Sequence, residues 1–190
     1  MKIVYLLILL VLVVASFTGF PQSKSQANSE NYILQSITNE PLNQDYNGES
    51  NSAIINQVGE DNIGIINQFQ QQYGIGNYAI IDQDGISNYA AIIQNGNSIS
   101  TSIGQNGNNN YADIHLTGYD IDANISQNGD GNYIQQDLSG TDINYSVIQN
   151  GDLNEFYQYQ NNLYSKDFQV TQNGTGIKTI IIDGPGAVIK

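Results

Sequence analysis

Cysteine and tryptophan are absent from this chain of 190 residues, and it has one histidine and three prolines. Without cysteine there is no disulfide and no thiolate metal site. With a single histidine, imidazole chemistry rests on His115 alone. Positive charge is also scarce. Five Lys+Arg stand against 18 acidic residues, a formal charge of -13. Such a chain has little with which to replace phosphate counterions, so nucleic acid is not an expected partner. What is abundant is the primary amide, with 26 Asn and 20 Gln. No ordinary enzyme core is built from that composition.

The first residues read as an export signal. Met1 and Lys2 precede an apolar run from Ile3 to Ala15, followed by small and polar residues. A basic start, a short apolar stretch and small residues form a secretory signal peptide, and the run is short for a helix spanning about 30 Å of hydrocarbon. We expect a signal peptide over 1–27, a polar segment over 28–50 whose composition reads as disordered, a repeat region over 51–183 and a tail over 184–190.

The repeat carries most of the information, and repeats are read before any other fold signal. Gln followed two residues later by Gly recurs as Gln57/Gly59, Gln83/Gly85, Gln105/Gly107, Gln127/Gly129, Gln149/Gly151 and Gln172/Gly174. The Gln residues are spaced by 26, 22, 22, 22 and 23. Five positions after the first five stand Asn62, Asn88, Asn110, Asn132 and Asn154, and Ile177 follows Gln172. Eleven positions after each Gln come Gln68, Gln94, Leu116, Leu138, Gln160 and Asp183. Each unit therefore divides into two halves, each a strand of seven residues and a turn of four.

Within the halves the period is two. Asn88, Ala90, Ile92 and Gln94 alternate with outward residues, as do Ile99, Thr101, Ile103 and Gln105. That is the signature of strand, not helix. The turns carry Gly59, Gly85, Gly107, Gly129, Gly151 and Gly174, often after Asn, and both residue types accept the positive φ of a tight reversal. The longer spacing of 26 is assigned to an extended turn over 69–76. The spacing of 23 is assigned to one extra residue around 163–166, with Asn162 in the usual place of glycine. Insertions in loops cost little.

Two strands per repeat predict an all-β solenoid of six two-stranded rungs stacked in parallel, twelve strands in all. Stacking would place Gln57, Gln83, Gln105, Gln127, Gln149 and Gln172 in one column and Asn62 to Asn154 in another. Gln68, Gln94 and Gln160 would belong to a third. A side-chain amide has both donors and an acceptor, so each can bond the copies above and below. An amide buried without partners costs roughly 1–3 kcal/mol, so such columns penalise slippage. Outward, Tyr89, Tyr111 and Tyr133 form a column, and the acidic residues fall largely in turns. An uncapped stack of this kind presents open edges that invite a second copy.

The units resemble curlin repeats, whose pattern is Ser-x5-Gln-x4-Asn-x5-Gln with Gly in the turn. Asn51-x5-Gln57-x4-Asn62-x5-Gln68 and Asn77-x5-Gln83-x4-Asn88-x5-Gln94 match it with Asn for Ser. The resemblance covers about 51–183. It departs where Ile99, Ile121 and Ile143 replace Ser and where Leu116 and Leu138 replace Gln. Curlins are subunits of curli, the functional amyloid fibres of bacterial biofilms. The resemblance implies a secreted, fibre-forming adhesion subunit at the bacterial surface. It implies export through the outer-membrane curli secretion channel with its accessory factors, addressed by the segment 28–50. It also implies a homopolymeric fibre and a partner curlin subunit. The major, fibre-building type is favoured over the minor, nucleating type.

The alternatives are a secreted monomeric solenoid adhesin and an enzyme on a β-helix. The carboxylates are scattered through turns, and His115 is expected to face solvent near Asp113, so no catalytic residues are assigned. The Gly-Gly-x-Gly-x-Asp calcium repeat is absent, and no metal or other cofactor is expected.

Overall fold

The computed structural model describes residues 50–71 and 74–183, together with the backbone of Tyr32–Ile37. The expected signal segment, most of 28–50 and the tail 184–190 lie outside the described residues. There is no helix among the described residues.

The strands are β1 (Tyr32–Ile37), β2 (Ser52–Glu60), β3 (Ile63–Phe69), β4 (Tyr78–Ile86), β5 (Tyr89–Asn106), β6 (Tyr111–Asn128), β7 (Tyr133–Asn150), β8 (Glu155–Asn173) and β9 (Lys178–Asp183). Every pairing is parallel. The predicted rungs are all present. Their twelve half-repeats appear as eight strands, because β5 to β8 each run through a corner. In β5, residues 89–95 form the second half of one rung and 100–106 the first half of the next. At Gly96 and Gly118 the ladder hydrogen bonding continues round the bend, with Asn97 opposite Tyr119 and Ile99 opposite Ile121. At the Asn-bearing corners, such as 107–110, the chain leaves strand geometry.

The rungs coil so that one face is built from β2, β4 and the second halves of β5 to β8. The other is built from β1, β3, the first halves of β5 to β8, and β9. The inward register is the one that the period of two predicts. Ala79, Ile81, Ile92, Ile103, Ala112, Ile114, Ala123 and Ile125 are buried between the faces. Burying a side chain of the size of Ile contributes roughly 1.5–3 kcal/mol.

Glycine is required at the corners for two reasons. Gly107 has φ 125°, and a Cβ there would lie 2.1 Å from the Gly129 carbonyl oxygen of the next rung. Gly118, in the other corner column, meets the Gly140 oxygen at 1.7 Å in the same way. Two residues beyond the corner glycine the chain again takes a left-handed conformation, at Asp61, Ser87, Ser98, Asn109, Asp120, Asp142 and Leu153. Most of these are small polar residues that tolerate it, which is why acids collect in the turns. Leu153 has no such tolerance and is 63 % exposed.

Two expectations are corrected. The extra residue of the last repeat does not fall at 163–166. Leu138 pairs with Gln160 and Gly140 with Leu163, so the insertion lies at 161–162 and Leu163, not Asn162, takes the glycine position. Part of the segment read from composition as disordered is a strand, since β1 pairs with β3 from Tyr32↔Ile63 to Ile37↔Gln68. The extended turn after Phe69 is tied to the body. The Gln71 amide donates to Asn97 Oδ1 at 3.0 Å and the Ser98 amide to the Ile75 carbonyl at 2.9 Å.

Gly107→Ala is expected to cost more than about 3 kcal/mol, because it combines left-handed strain with a backbone clash. Leu153→Asn is expected to stabilise by about 1 kcal/mol, by relieving the strain of a branched side chain in that conformation. Thermal unfolding of both variants checks the pair.

Candidate functional site

The principal column is a continuous chain of amide bonds. Gln57 Nε2 donates to Gln83 Oε1 at 2.7 Å, Gln83 to Gln105 at 2.7 Å and Gln105 to Gln127 at 2.8 Å. Gln127 donates to Gln149 at 2.9 Å and Gln149 to Gln172 at 2.7 Å. The second N–H of each inner Gln goes to a main-chain carbonyl on the opposite face, as from Gln105 to Tyr89 at 2.9 Å and from Gln127 to Tyr111 at 3.0 Å. Each Gln thus ties three backbones together: its own, the next rung and the facing sheet.

The Asn column runs with the opposite polarity. Asn88 donates through both its backbone N–H (3.0 Å) and its Nδ2 (3.1 Å) to Asn62 Oδ1. Asn110, Asn132 and Asn154 repeat the arrangement on Asn88, Asn110 and Asn132. The spare Nδ2 proton anchors a corner, as from Asn88 to the Gly107 carbonyl at 2.8 Å and from Asn110 to Gly129 at 2.8 Å. The corner glycines and the Asn column are therefore one device. Glycine lets the carbonyl approach, and Asn receives it.

The third column is shorter than its sequence positions suggest. Gln68 donates to Gln94 at 2.9 Å, and there the amide chain stops, because Leu116 and Leu138 come next. The Nε2 of Gln94 turns instead to Thr101 Oγ1 at 2.8 Å and to the Ile99 carbonyl at 3.1 Å. Gln160, expected in this column, is separated from Gln94 by both leucines and accepts from Gln158. It belongs to a different polar group that the repeat pattern did not reveal. Tyr145 is fully buried where the preceding rungs carry Ala or Thr and the next carries Phe168, and its hydroxyl donates to Gln136 Oε1 at 3.2 Å. Gln136 Nε2 continues to Gln158 Oε1 at 2.7 Å. Gln136 and Gln158 occupy the register of Ile92 and Ile114. The signal was present in the sequence, as a Tyr in the small-residue column with Gln in the facing apolar one. A buried hydroxyl needs a partner, and Gln136 supplies it.

The two ends differ. At the last rung, Gln172 Nε2 donates to the Glu155 carbonyl at 2.9 Å, the Ile177 carbonyl at 3.1 Å and Thr179 Oγ1 at 3.0 Å. That is the termination seen at Gln94 and Thr101. The Asn column ends on the Ile177 backbone, which donates to Asn154 Oδ1 at 3.0 Å but offers no side-chain amide. At the first rung Asn62 is satisfied within the chain, donating to the Val58 and Gly85 carbonyls at 3.0 and 2.9 Å. Gln57 Oε1 is not. Among the described residues it is the buried side-chain polar atom without a hydrogen-bond partner.

On the outer face the tyrosine column is present. Tyr89 and Tyr111 stack at 4.8 Å and Tyr111 and Tyr133 at 4.7 Å, with interplanar angles of 7° and 4°. Glu155 takes the next place in register, so the stack continues diagonally to Tyr157 at 5.2 Å. Lys178 closes it, 4.9 Å from the Tyr157 ring and 2.6 Å from Glu155. His115 is exposed and 3.3 Å from Asp113, as expected. No group of three or more potential metal-ligating side chains occurs among the described residues. Comparison with protein-family models, curated proteins and solved structures returned no match.

Burial, together with the Asp113 carboxylate and the neighbouring tyrosines, pushes the Tyr111 phenol up to about 12. Tyr89 and Tyr133 are raised as well, first by burial. A folded-state pKa above the unfolded value means that the unfolded chain loses its protons first. The column's contribution is therefore complete below about pH 10, and for Tyr111 it is lost as pH rises through about 12. Urea unfolding is expected to show stability falling across this window, with a shallower fall in Tyr111→Phe.

Proposed function

We propose that this chain, whose β-solenoid with Gln and Asn ladders is compatible with a fibre-forming or adhesin role, is the structural subunit of an extracellular, curli-type fibre, assembled by end-to-end stacking of its rungs. The observation that carries the reading is the principal Gln ladder. It runs through all six rungs and begins on Gln57 Oε1, a buried acceptor with no donor. Beside it, among the described residues, β2 pairs on one side only, with β4. The group that fits that acceptor is another Gln Nε2 arriving on a parallel strand, which Gln172 of a second copy supplies by turning one N–H away from Thr179 Oγ1. Six rungs and a long acidic chain favour the fibre-building over the nucleating type, and the resemblance to curlin repeats supports export through the curli secretion channel and assembly beside a partner curlin on the cell surface. It supports a structural role in adhesion and biofilm matrix rather than catalysis.

A second reading, a monomeric adhesin, is favoured by one observation. Thr179 and Ile177 end both ladders inside the molecule, in the manner of the internal stop at Gln94.

Growth of thioflavin-positive fibres, followed by microscopy, separates the two. Fibres at rising concentration support the first, and a persistently monomeric β-rich protein supports the second. Gln105→Ala is expected to slow fibre growth much more than Gln135→Ala. Removing the Gln105 amide leaves Gln83 Nε2 and Gln127 Oε1 facing a gap, at roughly 1–3 kcal/mol for each orphaned group. Gln135 is an outward residue that accepts from Tyr133 at 3.0 Å. Equal growth rates would remove the ladder as the basis of assembly.

A further inference from the structure

The described ends of the solenoid are not complementary. At the C-terminal end both halves of the last rung have an edge that no other described strand covers: residues 167–173 pair with β7, and β9 pairs with β8. At the N-terminal end only one half is free. The outer edge of β2 is open, with Gln57 Oε1 behind it. The outer edge of β3 is occupied by β1, in parallel register from Tyr32↔Ile63 to Ile37↔Gln68. A strand has two hydrogen-bonding edges, and β3 has used both, on β1 and β5.

From this we infer that β1 is a strap on the growing end: it holds the seat over β3 that β9 of an incoming copy needs, while the seat over β2 stays open for that copy's residues 167–173. This rests on the end-to-end reading proposed above and specifies how it is gated. An arriving copy first docks on β2, where its Gln172 turns one N–H from Thr179 Oγ1 to Gln57 Oε1. It completes the junction only when β1 peels from β3. The two competitors are matched in kind, six paired residues of β1 against the six-residue β9. The exchange therefore keeps β3 paired throughout and exposes no new edge. Its consequence is a slow first encounter between subunits, built into the segment that precedes the repeats.

The test uses the full chain and a Leu34→Pro/Gln35→Pro double variant. Adjacent strand residues point their N–H groups to opposite sides, so one of the two prolines must delete a donor to β3. Hydrogen exchange of Ile63–Gln68 in the freshly refolded monomer reports the strap, and thioflavin kinetics report the gate. We expect lower protection at Ile63–Gln68 and a lag shortened several-fold. A synthetic peptide of residues 28–37, added to the double variant, should restore the lag. Unchanged protection overturns the strap. Lost protection with an unchanged lag overturns the gate while leaving end-to-end stacking in place. If neither chain forms fibres at any concentration, the stacking reading falls and the gate with it.

Discussion

A primary amide buried between two sheets must find partners for two N–H protons and an oxygen. In a coil that repeats every 22 residues, the group that fits above and below is another copy of itself. The rest of the molecule depends on this constraint. It sets the rung length, because an inserted residue inside a strand would break every bond in the column. It sets the corner residue, because the Asn column reaches the Gly107 and Gly129 carbonyls only where no Cβ stands between rungs. It also joins the two faces, since each inner Gln spends its second proton on the opposite sheet.

The two ladders point in opposite directions, and this gives the solenoid unlike ends. The Gln chain donates toward the C-terminus, so its first member keeps an unused acceptor. The Asn chain donates toward the N-terminus, so its first member turns its protons to carbonyls of its own neighbourhood. At the far end a threonine hydroxyl and an isoleucine amide finish what the amides began. The same threonine device appears inside the molecule, where leucines replace glutamines. Amide columns can therefore stop without leaving buried groups unsatisfied, provided that a short hydroxyl stands one strand further on.

Most of the architecture was legible because its signals are local and repeated. The strand period of two, the Gly corners and the regular Gln and Asn spacing each occur several times, so one irregular unit does not hide the rest. The register of Gln57 to Gln172, Asn62 to Asn154 and Tyr89 to Tyr133 follows from that arithmetic alone. What escaped was non-repeating. The Tyr145–Gln136–Gln158–Gln160 group breaks the pattern on both faces at once, and neither substitution explains itself without the other. The inserted residue beside Gln160 could sit anywhere in a turn as far as spacing goes, and backbone pairing assigns it to 161–162.

The amino-acid sequence by itself determined the rung: its length, its corners, its inward residues and the identity of each column. These follow from periodicity, which depends only on neighbours along the chain. The tertiary structure decided the direction of each ladder, the way each ends and the seat taken by β1. Those depend on which atoms meet across rungs. A carboxamide has donor and acceptor on one carbon, and its letter in a sequence does not say which way it faces.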